Sequence, residues 1–490
     1  MARIGRGFVG GVLMCLGLLV WGAFRVGAQQ PSTGAGRGHG AEQKDMSLLG
    51  HHDLQARSAY QPTIHRQGQR WIAYIGHHGG QAMNPLTGAV ENNGTSIIDV
   101  TDPRNPRYLA HIPGPAGRPE AGGAQMTRVC DGRTLPRGDR GKTYLLRTLG
   151  NLGHEIWDVT DPGRPARVTT VVSGLNGTHK NWWECETGIA YLVSDGRPRG
   201  WRTNRMTQVF DLGDPARPLH IRDFGLVGQE PGSRGPVPEG LHGPIALGRR
   251  VYMPYGTWKN GVLQIVDREK LLKGDPNVSN PFVPNPENLL YPQVGRLDMA
   301  PAWGGHTSFP VLGILVPEFA KNTNGRVRDF VVVVSESLQN ECREFRHLTF
   351  LVDVTDESKP FSVATYQVAE AAGKFCERGG RFGPHASNES FAPIFYKKLV
   401  FISYFNAGVR AVDIRDPYNP KEVAYYIPAT TERTAERCVE DGGVRRCKVA
   451  IQTNNVEVDD RGLIYIVDRA NTGLHILELT GAARQIAGRP

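Results

Sequence analysis

The chain has 490 residues, with 57 lysines and arginines against 48 acidic residues and a formal net charge of +9. The excess is modest and spread along the chain, with no block of basic residues and no nucleic-acid-binding motif, so nucleic acid is set aside as a partner. No CxxC pair occurs, which removes the commonest zinc and redox uses of cysteine.

The first element is a leader. Arg3 and Arg6 precede an apolar run from Phe8 to Phe24, and Val26-Gly27-Ala28 supplies small residues, so residues 1–28 are expected to be a signal peptide cut near Ala28. The apolar run is interrupted by glycine and is short for a membrane anchor, and no later segment approaches a span. Without Arg3, Arg6 and Arg25 the charge falls from +9 to +6. The mature chain is thus expected in the periplasm or outside the cell, with no transmembrane span. Residues 29–45 have too little apolar content to fold and are expected to be a disordered linker. The folded body is expected over 46–480, with 481–490 as a C-terminal tail.

That body repeats. Thr95–Pro103, His154–Pro162, Thr207–Pro215, Val262–Asp267, Thr349–Asp356, Val409–Pro417 and Leu474–Leu479 are short β-branched runs carrying an acidic residue, most of them continuing into an Asp turn. A second apolar run precedes each, as in Trp71–Ile75 and Phe330–Val334, and a third usually follows, as in Val168–Val172. Several short strands per unit, recurring in this way, predict the blades of an all-β, seven-bladed β-propeller. The stretches 274–292 and 310–328 are expected to be surface insertions. The tail lacks a further apolar strand, so Met46–Leu54 is expected to pair beside Leu474–Leu479 and close the ring.

The strings Ile97-Ile-Asp-Val-Thr-Asp-Pro103 and Val412-Asp-Ile-Arg-Asp-Pro417 resemble the LVIVD repeat of bacterial exported β-propeller proteins, and the likeness runs from about Ser47 to Thr480. The resemblance implies the fold and says little about chemistry, because propellers host many functions.

Six cysteines follow the leader, and an even count in an exported chain favours disulfides, although six allow 15 pairings. Cys438 and Cys447 flank Asp441-Gly442-Gly443, a turn that would bring them together. Cys342–Cys376 and Cys130–Cys185 are the other expected pairs.

The first strand of each blade should line the central channel. Where it begins the chain reads Gly177-Thr-His179, Gly240-Leu-His242, Gly304-Gly-His306 and Gly383-Pro-His385, with Gln61, Gln125 and Gln452 at the corresponding places of the other units. Two readings stand side by side. In one, Gly-x-His is a repeated structural device, each imidazole bonding its own or the next blade. In the other, His179, His242, His306 and His385 converge and hold a transition metal, iron or copper, with Gln61, Gln125 and Gln452 lining the channel and Glu184 and Glu389 orienting the imidazoles. A His-only set is similar in concept to the axial iron site of carotenoid-cleavage oxygenases and to the copper-dependent methanethiol oxidases, both propellers. His51-His52, the His77-His78 turn, Trp182-Trp183 and Trp201 are weaker candidates. The corresponding functions are a propeller presenting loops to a small-molecule or protein ligand, and a metal-dependent oxidoreductase.

Overall fold

A computed structural model describes residues 38–316 and 327–488. The expected leader and residues 29–37 of the expected linker lie outside the described residues. The described fold is all-β, made of antiparallel four-stranded sheets that succeed one another along the chain. The first is Ala59–Gln67, Arg70–His78, Gly94–Asp99 and Arg107–Pro113, the next Thr127–Asp131, Thr143–Thr148, His154–Asp158 and Ala166–Val172. Three more have their first strands at Thr178–Trp183, Ile245–Leu247 and Thr307–Leu315. Phe382–Ser387 and Thr453–Val458 begin the last two, which one bridge between Phe405 and Thr453 joins into a continuous sheet. Among the described residues no helix is long and apolar enough to cross a membrane.

The acidic residue of each repeat has a local job. At the end of the third strand Asp99, Asp158, Asp211, Asp353 and Asp413 each accept the backbone N–H two residues on, at 2.7–3.0 Å. The second Asp of the string does the same: Asp102, Asp161, Asp214, Asp356 and Asp416 accept from positions 104, 163, 216, 358 and 418. Two consecutive Asx turns therefore reverse the chain into the fourth strand, which explains the spacing of the motif. Asp267 has no second Asp after it and instead caps a helix, Arg268–Lys273, by accepting from the Lys270 N–H.

Apolar residues fill the spaces between successive sheets. Cys130, Leu146 and Ile156 meet Leu192 and Phe210 of the following sheet, and Leu263 and Ile265 meet Val331 and Val333. Ala73, Ile75 and Ile98 of the first sheet pack on Tyr465, Val467 and Ile476 of the last. Met46–His52 lies antiparallel to Leu474–Leu479, Met46 opposite Leu479 and His52 opposite Leu474, as the sequence predicts.

Three expectations need correction. Glu42–Lys44, placed in the linker, pairs with the strand Lys421–Ile427, so the N-terminal segment adds a strand to each of two adjacent sheets. The stretch 310–328 is not simply an insertion, because Thr307–Leu315 and Val327–Val334 pair with each other. The tail contains a short helix, Gly481–Ile486, whose Ala483 is buried. All three cysteine pairs are bonded as expected. Cys438 and Cys447 face each other across a hairpin whose two-residue loop, Gly442-Gly443, has positive φ at both positions, as such tight turns require.

Candidate functional site

The first strands converge from distant parts of the chain. The Asn454 side chain donates to the Tyr60 carbonyl, Thr63 to the Thr127 carbonyl and Arg128 to the Asn181 carbonyl. His179 and His385 lie on first strands, His306 immediately precedes one, and His242 follows a bridge between Leu241 and Tyr255. The glycines before them permit close approach: a Cβ on Gly304 would fall 1.7 Å from the Gly256 carbonyl oxygen, and one on Gly383 would fall 1.9 Å from the Ser337 hydroxyl.

All four histidines line one cavity of about 270 Å³, together with Tyr60 and Glu336. Ring centroids are 4.4 Å apart for His179 and His242, 3.6 Å for His242 and His306, and 4.3 Å for His306 and His385. The imidazoles thus face one another rather than four separate sheet interiors. His179 Nε2 stands 2.7 Å from His242 Nε2 and 3.0 Å from the Tyr60 hydroxyl. A neutral imidazole nitrogen has one proton or one lone pair, so it cannot serve both contacts fully. His385 Nδ1 lies 2.5 Å from the Asn454 carbonyl, which makes Nδ1 the donor and leaves the lone pair on Nε2. His306 Nε2 and His242 Nδ1 are buried without a hydrogen-bond partner. Only one of the four rings, His385, is braced by a carbonyl or carboxylate at its outer nitrogen.

Glu336 completes the cluster. Its oxygens lie 3.6 Å from His385 Nε2 and 4.0 Å from His306 Nε2, and ligand atoms of His242, His306 and Glu336 all fall within 4.8 Å of one another, a grouping that could hold a metal ion. Burial raises the Glu336 carboxyl above its ordinary range, while Arg381 pulls the other way. Burial also holds all four imidazoles well below their ordinary range, with further lowering by Arg205 at His179, His179 at His242, His242 at His306 and Arg469 at His385. The rings are therefore neutral near pH 7, the form in which imidazole binds metal.

The remaining sequence candidates lie elsewhere. Gln61, Gln125 and Gln452 are buried, but none lines this cavity. Gln61 donates to Glu457, Gln125 to the Pro119 carbonyl, and Gln452 accepts from the Arg381 N–H. The strand shifts register between Ala59 and Pro62, and it is Tyr60 that meets the histidines. Glu184 does not orient an imidazole, because Arg268, Thr187 and Tyr191 take its carboxylate. Glu389 is paired with Lys180 and Arg128. His77 and His78 end a buried strand instead of forming a turn, bonding Ser96 and Ser58. His51 bonds the Thr472 carbonyl, while Trp183 and Trp201 are packed in apolar clusters.

Sequence reasoning missed Glu336 and Tyr60. Glu336 lies two residues beyond the strand Val327–Val334, between the buried Ser335 and Ser337, whereas Asp195, Asn406 and Arg469 directly follow the second strands of their own units, so no shared spacing marks it.

No family model and no curated protein matches this chain. Among solved structures the chain is similar to the Cps50 (Swd1) β-propeller domain of Myceliophteria thermophila, at 10% identity with a TM-score of 0.47, covering 86% of this chain and 96% of that one.

Proposed function

We propose that the chain is an exported, closed seven-bladed β-propeller of the LVIVD kind that holds a first-row transition metal, iron or copper, in its central channel and binds a small ligand there. The ligands are His242, His306 and Glu336, with His179 and His385 alongside. The convergence of four neutral imidazoles and a buried carboxylate on one cavity carries this reading. Ligands sharing one ion at bonds of about 2.0–2.1 Å stand about 3–3.4 Å apart, so the 4.0 Å between His306 Nε2 and Glu336 closes with a side-chain shift of about 1 Å or less. The burial penalty on Glu336 is relieved by a cation held beside it. Packing of the first sheet on the last supports closure of the ring, and three disulfides support export.

Two imidazoles and one carboxylate form the donor set of non-haem iron oxygenases, and this favours oxidoreductase chemistry as the second reading. When bound, such an ion supplies Lewis acidity and one-electron chemistry. This chain's own part is to keep the imidazoles neutral, fix the His385 tautomer through Asn454 and offer the Tyr60 hydroxyl beside His179. The test is metal content of tag-free His242→Ala and Glu336→Gln variants. Each should lose metal while keeping the wild-type circular dichroism spectrum, and retention of wild-type metal content in both contradicts the assignment.

A further inference from the structure

The cavity in front of the histidines carries more positive charge than its own carboxylates neutralise. Arg205, Arg381 and Arg469 line it, against Glu120 and Glu336. Arg381 Nη1 donates to Glu336 at 3.0 Å, and Arg469 Nη2 donates to Glu120 at 2.5 Å. Arg205 differs from both: among the described residues its half-buried guanidinium makes no hydrogen bond and no ion pair. Arg205 feels the charges of Glu120 and Glu336 across the cavity but is hydrogen-bonded to neither, which leaves its N–H groups open to an anion. Two apolar side chains, Trp258 and Leu338, line the same space, and Trp258 is 39% exposed. They offer a surface for a short carbon skeleton.

We propose that this cavity is the binding site of a small organic carboxylate, its carboxyl group on Arg205, its carbon body against Trp258 and Leu338, and its other end towards the histidines. The proposal rests on the metal reading above, since it is the metal centre that the bound molecule faces. A planar guanidinium matches a carboxylate with two parallel N–H···O bonds, a geometry that lysine cannot copy. The size follows from the cavity, whose volume of about 270 Å³ is just below the range of about 300–1,000 Å³ found for drug-sized ligands. Inorganic phosphate would satisfy Arg205 equally well but would leave Trp258 and Leu338 uncovered, so it should bind less tightly.

Isothermal titration calorimetry on the tag-free chain, with succinate, pyruvate and benzoate as probes and inorganic phosphate as a second arm, tests this directly. At least one carboxylate should saturate one site, about tenfold or more tighter than phosphate, and Arg205→Gln should weaken it about tenfold or more. Metal content measured on the same samples should be equal in wild type and variant, since Arg205 is not a ligand. Unchanged affinity in Arg205→Gln, no saturable binding of any of the three carboxylates, or phosphate binding as tightly as the best of them overturns the proposal. Absence of metal from wild type would overturn the metal centre instead, and the difference between wild type and Arg205→Gln would still report on the arginine.

Discussion

His179 and its neighbour Lys180 belong to two buried polar clusters that differ in one respect. Around Lys180 every charge is answered: Glu389 pairs with Lys180 and Arg128, and Glu457 accepts from the Glu389 and Ser390 N–H groups and from Gln61. Around His179 the groups outnumber their partners. His306 Nε2 and His242 Nδ1 bond nothing, and His179 Nε2 is contested by two neighbours. Burying polar atoms without partners costs about 1–3 kcal/mol each. The ion pairs around Lys180 are matched, although Asn181 beside it leaves both amide atoms without a partner, so it is the convergence of four imidazoles and Glu336 on one cavity, more than the orphaned atoms alone, that sets the histidine cluster apart. The Lys180 cluster is therefore read as a structural plug and the histidine cluster as a binding site.

The largest expected effect comes from breaking the ion-paired cluster. Glu389→Ala strands Lys180, only 2% exposed at its side chain, and should cost about 3–5 kcal/mol in urea unfolding. Next, the histidine cluster should gain from a ligand where the other cannot: iron(II) or copper(II) at about 100 times its Kd should stabilise the wild-type fold by about 2.7 kcal/mol, and His242→Ala should abolish the gain.

A pH effect separates the clusters further. Burial, reinforced by the charge on Glu389, raises the Glu457 carboxyl from 4.5 to about 7. The folded chain therefore keeps a proton that the unfolded chain has released between about pH 4.5 and 7. Stability should fall as pH rises through that window, by at most about 1.4 kcal/mol per unit, and level off above it. Glu457→Gln should flatten this slope in denaturation curves collected from pH 5 to 8. The smallest effect is that of His242→Gln on the metal-free fold, expected within about 1 kcal/mol of wild type because the ring makes so few satisfied bonds. A loss as large as that of Glu389→Ala would erase the distinction between the clusters.

The repeats were legible because each unit writes its strands and its double Asp turn locally, and the Gly-x-His spacing marked the strand starts. Cys438 and Cys447 could be paired from the Gly442-Gly443 turn alone. Glu336 was hidden because it reaches the histidines from the end of a different strand, a placement that only the stacking of sheets creates. Tyr60 was hidden by the register shift between Ala59 and Pro62, since one residue of slip exchanges the two faces of a strand. Glu184 and Glu389 misled for the opposite reason: proximity in sequence to His179 and His385 did not become proximity in space, as Arg268 and Lys180 claimed them.

The metal centre is best checked by elemental analysis of the full chain, expressed without a histidine tag in a host that exports it and purified without chelators. The wild-type chain should carry one equivalent of iron or copper, lost together with ligand-induced stabilisation in His242→Ala and retained in Glu389→Gln. A wild-type protein that is folded, disulfide-bonded and free of transition metal, and that takes up none when iron(II) or copper(II) is supplied, would contradict it.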